Sequence, residues 1–203
     1  MNRVKRYFLV PMLVLSLMSG FFLTPAVSYA AEGEEDPVKA AYMEKIYVLY
    51  EDIYAAEGDM MNKMSYQFVD LNGDGTDEML IDVGFGYLTE TIYTYINGEA
   101  IESLNTSHGY ITKYYPSIGV LYEYGGHMGQ YWDRYYTMGK NGVCKFTAEK
   151  VKIENPKTGK YTVEYRVNNK KCKKNKYNKC VAKIKKAKCV KIPDNWTDYK
   201  KQQ

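Results

Sequence analysis

Apolar positions first recur with a helical period. Val38, Tyr42, Ile46, Leu49 and Ile53 stand four, four, three and four residues apart, which lines them along one face of a helix. Asp36 is placed to cap that helix, Pro37 suits its first turn, and Gly58 is its natural stop. From Ser65 onward the period drops to two. Ser65–Val69, Glu78–Val83, Thr91–Ile96, Glu99–Leu104, Tyr110–Tyr115, Gly119–Tyr124, Tyr131–Met138, Val143–Ala148, Lys150–Ile153 and Tyr161–Val167 read as short strands. Asn97-Gly98 is a hairpin turn, and Pro116, Gly125-Gly126, Gly139 to Gly142, and Asn155 to Gly159 divide the rest. Asn168-Asn169 turns the chain toward Lys170–Cys172. The helical period then returns at Tyr177, Cys180, Val181, Ile184 and Ala187, predicting a short basic helix over about 175–187, with Cys189–Ile192 as a closing strand. The predicted fold is α+β: an N-terminal amphipathic helix packed on a twisted antiparallel meander, with a short basic C-terminal helix. No internal repeat of propeller length is present.

The start of the chain has a different pattern. Arg3, Lys5 and Arg6 precede an uncharged run from Phe8 to Leu23, and Ser28-Tyr29-Ala30 supplies small residues at a cut site. That order predicts a secretory signal peptide over residues 1–30. The run is shorter than a membrane span requires and is broken by Ser16, Ser19 and Gly20. No later stretch is apolar enough to cross a bilayer, so no transmembrane segment is expected once the leader is removed. The expected organisation is therefore residues 1–30 as signal peptide, 31–153 as an acidic α+β domain, and 154–203 as a basic, cysteine-containing extension packed on it.

Charge sharpens this division. The net formal charge of +4 conceals two opposite halves: residues 31–139 hold 19 acidic and 5 basic residues, and residues 140–203 hold 5 acidic and 20 basic. The halves carry −14 and +15, a polarity that points either to an interaction surface or to mutual attraction. All four cysteines, Cys144, Cys172, Cys180 and Cys189, fall in the basic half. An even count in an exported chain favours disulfides, with three pairings open, and free buried thiols are the other reading. Zinc is disfavoured, because there is no Cys-x-x-Cys pair and His108 and His127 are distant in sequence from the cysteines.

The segment with the clearest chemistry is Asp70-Leu71-Asn72-Gly73-Asp74-Gly75-Thr76-Asp77-Glu78. Oxygen-bearing side chains stand at its first, third, fifth and ninth places, with glycine sixth. Calcium takes six to eight oxygens, and alternate side chains converge on one ion when the chain curls tightly. The expected ligands are Asp70, Asn72, Asp74, the Thr76 carbonyl and Glu78, with Asp77 and Asp82 as neighbouring alternates. An EF-hand would need a glutamate at the twelfth place, where Ile81 stands, and strand-like rather than helical runs flank the loop. A plain polar turn uses the same residue types, yet four acids in nine residues repel unless something neutralises them. The segment resembles the strand-loop-strand calcium loops of integrin-type repeats and of bacterial secreted proteins. The chain also looks like a loose set of secreted proteins of Gram-positive gut bacteria, through Phe68 to Gly75, Tyr122 to Gly129, and Tyr165 to Tyr177. Members of that set carry no assigned activity, so the resemblance implies export, the loop and an α+β fold.

Three weaker signals remain. The chain has 22 tyrosines, 11 of them between Tyr87 and Tyr136. Tyr131, Trp132, Tyr135 and Tyr136 are candidates for stacking on a ligand, although strand preference alone also predicts many tyrosines. His127 sits in a glycine-rich stretch, with Glu123 or Asp133 as an acid–base partner. Tail lysines suit anionic polymers, and with Arg166 the only arginine after residue 139, specific nucleic-acid reading is disfavoured. The functional expectation is a secreted calcium-binding protein, non-enzymatic, that engages an anionic cell-wall polymer or surface glycan. The alternative is a secreted hydrolase of wall or glycan material with His127 as acid or base.

Overall fold

A computed structural model describes residues 36–57, 64–84 and 90–199; the predicted signal peptide lies outside the described residues. Helix α1 spans Pro37–Glu57. The Asp36 carboxylate accepts the Val38 N–H at 3.0 Å, and its carbonyl accepts the Ala40 N–H, which satisfies the first turn. Tyr42 and Ile46 of the predicted stripe are fully buried. They cluster with Met64, Met79, Ile81 and Tyr93.

The strands are β1 (Ser65–Val69), β2 (Glu78–Asp82), β3 (Glu90–Ile96), β4 (Glu99–Asn105), β5 (Gly109–Tyr115), β6 (Val120–His127), β7 (Gln130–Met138), β8 (Cys144–Glu154) and β9 (Tyr161–Val167). Strand β10 (Lys170–Lys171), helix α2 (Lys174–Ile184), β11 (Val190–Lys191) and β12 (Thr197–Asp198) complete the chain. Every pairing is antiparallel, but the strands form two sheets rather than one meander. The first has the order β12-β1-β2-β3-β4, and the second β10-β9-β8-β7-β6-β5-β11. The break falls between β4 and β5. There Ser107 and His108 take positive φ, and the buried Thr106 hydroxyl, within hydrogen-bonding distance of the Glu90 and Gly109 carbonyls, fixes the corner.

Two sheets pack together because the central strands bury residues on both faces. In β2 and β3, Leu80 and Ile92 face one way, and Met79, Ile81 and Tyr93 the other. Leu80 and Ile92 join Val69 and Leu71 in packing against Ile111, Leu121, Tyr136 and Met138 of the second sheet. On the far side of that second sheet, Tyr115, Val120, Tyr135, Ala148 and Val167 meet Tyr177, Val181 and Ile184 of α2. The predicted basic helix is thus present and amphipathic. The basic segment is woven into the fold, since β10 and β11 extend the two edges of the second sheet and β12 pairs with β1.

Gly125-Gly126 does not break a strand. Both residues lie within β6, paired with Trp132 and Tyr131. A Cβ at Gly125 would lie 2.5 Å from the Trp132 indole nitrogen and 2.7 Å from the His108 carbonyl; one at Gly126 would lie 2.8 Å from the Tyr131 ring. Glycine serves here for close approach. The turn comes instead at Met128-Gly129, where φ is 46° and 75°, matching the two-residue hairpin that needs both central residues left-handed. Asn97-Gly98 and Asn168-Asn169 turn in the same way. The two strands predicted at 143–148 and 150–153 are one, β8, which continues through Glu149 because that carboxylate is buried against arginines.

Candidate metal centre

The loop between β1 and β2 curls around the Asp70 carboxylate. Asp70 Oδ1 accepts the N–H groups of Gly73 at 2.8 Å and Asp74 at 3.1 Å, and Oδ2 accepts that of Gly75 at 3.0 Å. Asn72 Oδ1 takes the Asp74 N–H, and Asp74 Oδ1 the Thr76 N–H. Two glycines make the curl affordable. Gly75 has φ +91° with open space around it, so backbone conformation alone selects glycine there. Gly73 has φ +73°, and a Cβ would lie 2.7 Å from the Pro116 carbonyl oxygen in the one-turn 3-10 helix Pro116–Ile118 that joins β5 to β6.

Glu78 closes the loop from below. It is 1% exposed. Its Oε2 accepts the Leu71 N–H at 2.9 Å, and its Oε1 accepts the Asn72 amide at 3.1 Å. This orients the Asn72 oxygen toward the loop. Burial raises Glu78 to about 8, the Leu71 N–H opposes the shift, and Asp74, Asp70 and Asp77 reinforce it. Asp74 and Asp77 are exposed, and Asp70 and Thr76 are half-buried. Among the described residues, no three His, Cys, Asp or Glu side chains converge as a preformed cage. Nor do Asp70, Asp74, Asp77 or Glu78 form an ion pair among the described residues. Asp70, Asn72, Asp74 and the Thr76 carbonyl fit a hard cation by donor type and by their place on one curl, with Glu78 behind them.

The remaining candidates separate. Trp132, Tyr135 and Tyr136 are 7%, 4% and 9% exposed, so of the four stacking candidates Tyr131 alone lies at the surface, at 41%. The buried three are held by core packing: Trp132 and Tyr136 on the inner side of the second sheet, and Tyr135 under α2. His127 ends β6, its ring stacked on His108 with centroids 4.0 Å apart. Its two expected partners are engaged elsewhere. Glu123 is fully buried and accepts hydrogen bonds from Trp132 Nε1 at 2.5 Å and Tyr136 OH at 2.6 Å; Asp133 accepts from Tyr122 OH at 2.5 Å and Lys150 Nζ at 2.8 Å. Burial works to raise Asp133, but the bonds from Lys150 and Tyr122 outweigh it and hold the carboxyl below its ordinary range.

The four thiols are free, in contrast to the disulfides expected from an even count. Cys144 packs in the cluster between the sheets, where burial pushes its thiol up to about 11, while Cys172 and Cys180, the latter on α2 itself, pack against the cluster that α2 forms on the far side of the second sheet. Cys144 therefore lies on the opposite side of the second sheet from that pair.

Sequence reasoning missed a buried charge ladder. Glu149, 2% exposed, sits between Arg134 Nε at 2.7 Å and Arg166 Nη1 at 2.9 Å. Arg134 also reaches Glu123 at 3.5 Å and lies over the Trp132 ring, 4.4 Å from its centroid. The available signal was that Arg134 and Arg166 are the lone arginines of residues 31–139 and 140–203. Comparisons of the chain with family models, with curated proteins and with solved structures give no match.

Proposed function

We propose that the protein is a secreted calcium-binding module that acts by binding rather than by catalysis, with one calcium ion held by Asp70, Asn72, Asp74 and the Thr76 carbonyl. Glu78 either joins that shell or orients Asn72 from behind it. The observation that carries this reading is the uncompensated charge of the loop: Asp70, Asp74 and Asp77 lie within eight residues on a curl closed by backbone N–H bonds to Asp70, with no cationic side chain paired to them among the described residues. Like charges held this close cost stability, and a divalent cation removes that cost. Because the loop joins two core strands and rests on the Pro116 turn, the ion serves mainly to lock the two sheets together at this point.

Thermal unfolding with and without calcium tests the proposal. A ligand bound only by the native state stabilises it by about 2.7 kcal/mol at a hundredfold excess over Kd. The wild type is expected to melt higher in millimolar calcium than in chelator. Asp74→Ala removes a donor oxygen and only one loop hydrogen bond, and is expected to lose that rise. Equal melting in calcium and chelator would overturn the calcium assignment.

A further inference from the structure

We propose that the outer face of the second sheet, together with α2, binds an anionic polysaccharide. This names the partner for the extracellular binding role above and rests on that reading. Cross-strand partners share a face, so the register defines what the face presents. One row across β6 to β9 is Gly126, Tyr131, Lys152 and Val163; the adjoining row across β5 to β9 is Tyr110, Tyr124, Asp133, Lys150 and Tyr165. Helix α2 covers the part of this face built from Val120, Tyr135, Ala148 and Val167. The rest is open: Tyr124 and Tyr161 are each 51% exposed, Val163 42%.

The geometry of the open part suits a sugar ring. Tyr131 has two ring atoms 2.8 and 3.3 Å from where a Gly126 Cβ would stand, so the glycine lets the ring lie close to the neighbouring strand while 41% of the residue stays exposed. Tyr161 is its neighbour, with centroids 6.3 Å apart and planes at 57°, giving two non-coplanar platforms. Lys152 stands beside Tyr131 and forms no ion pair among the described residues. Amphipathic rings of this kind offer apolar area with a polar tip at a recognition surface.

Charge settles the class of partner. From Lys170 to Lys191 there are eleven lysines and no acidic residue, and all eleven are exposed. Lys171 pairs with Glu164 at 2.6 Å; the other ten form no ion pair among the described residues. Helix α2 packs on the outer face through Tyr177, Val181 and Ile184, and Tyr177 meets Tyr165 of the neighbouring open row with centroids 5.2 Å apart, so the helix that carries the exposed Lys174, Lys176, Lys179 and Lys183 adjoins the open part of this face. Flexible point charges match a polymer with repeating carboxylate or phosphate groups, whereas fixed bidentate recognition would use arginine. The shelf is interrupted by Asp133, Lys150, Lys152 and Glu154, which leaves no continuous apolar surface for insertion into a bilayer.

The test is affinity electrophoresis of the full mature chain through gels containing polygalacturonate, dextran, single-stranded poly-dT, or phosphatidylglycerol vesicles, all in chelator so that calcium neither gels the polymer nor loads the loop. Retardation by polygalacturonate and not by dextran is expected. The double variant Tyr124→Ala/Tyr131→Ala should weaken it about tenfold, and Lys174→Gln/Lys176→Gln/Lys179→Gln should flatten its dependence on salt. Unchanged retardation of the tyrosine variant, stronger capture by poly-dT, or equal capture by vesicles would each overturn the proposal. Calcium titration of the same variants separates the two claims: an intact titration with lost polymer binding places the partner on this face, and polymer binding that needs the tyrosines in a protein that takes up no calcium leaves the face standing without the loop.

Discussion

Single residues in this fold are fixed by what they sit against. Gly125 is the clearest case, because an added methyl would meet the Trp132 indole and the His108 carbonyl, and the carbonyl is backbone and cannot step aside. Overpacking of that kind costs about 1–3 kcal/mol. Gly125→Ala is therefore expected to lower the urea midpoint by a corresponding amount, while Gly159→Ala, which meets open space at φ +65°, suffers only the backbone penalty. Glu90 gives a second prediction. Burial raises its carboxyl to about 8, the Ile111 N–H pulls it back, and Asp82 and Glu123 push it further up. An unfolded chain releases that proton near pH 4.3, at about the value of an ordinary glutamate. Between there and about pH 8 the native state binds the extra proton, so stability falls as pH rises and levels off above that window. Glu90→Gln keeps a neutral side chain of similar shape and is expected to reduce this slope in urea titrations at pH 5, 6.5 and 8. A variant with the full wild-type slope would show that Glu90 is not its source.

At the scale of elements, the basic helix is the informative piece. Its Tyr177, Val181 and Ile184 are buried against the second sheet, and large aromatic truncations in such a site cost about 3–5 kcal/mol. Tyr177→Ala is expected to destabilise the whole molecule in one cooperative transition, measured by denaturant unfolding. A separate early transition would mean that the basic segment folds as an appendage. Much of the element pattern was legible in the chain. Helix α1 begins at Pro37 as predicted, while the Gly58 stop lies outside the described residues; β1 and β9 carry their predicted bounds, and the Asn97-Gly98 and Asn168-Asn169 turns hold because asparagine and glycine tolerate positive φ. What was not legible has physical causes. A two-residue period tells which residues share a face but not what covers it, so Met79 and Leu80 look alike although one meets α1's cluster and the other the second sheet. Glycine reads equally as a turn or as close packing, which hid the continuity of β6. Trp132, Tyr135 and Tyr136 could not be told from Tyr131, because exposure depends on α2 and the first sheet, both remote in sequence. The exposed shelf of Tyr124, Tyr131 and Tyr161 likewise emerges only from the register of four strands.

Across the whole molecule, opposite charges pair where β7, β8 and β9 meet, and elsewhere they are segregated. Among the described residues, the acidic half gathers carboxylates without an ion pair at the β1–β2 loop, and the basic half displays lysines without one along α2. The counter-charge proposed above is a divalent cation for the first cluster and a polyanion for the second. The folding roles differ as well: the loop is tied into the contact between the two sheets through Gly73 and Pro116, while the lysine face points away from that contact. Calcium loading is thus expected to raise stability without being required for polymer binding. The measurement that bears most directly on the central claim is calorimetric titration of calcium into the mature protein. The account predicts saturable uptake of about one ion per chain, lost in Asp74→Ala. Absence of binding at millimolar calcium in a folded protein would contradict it.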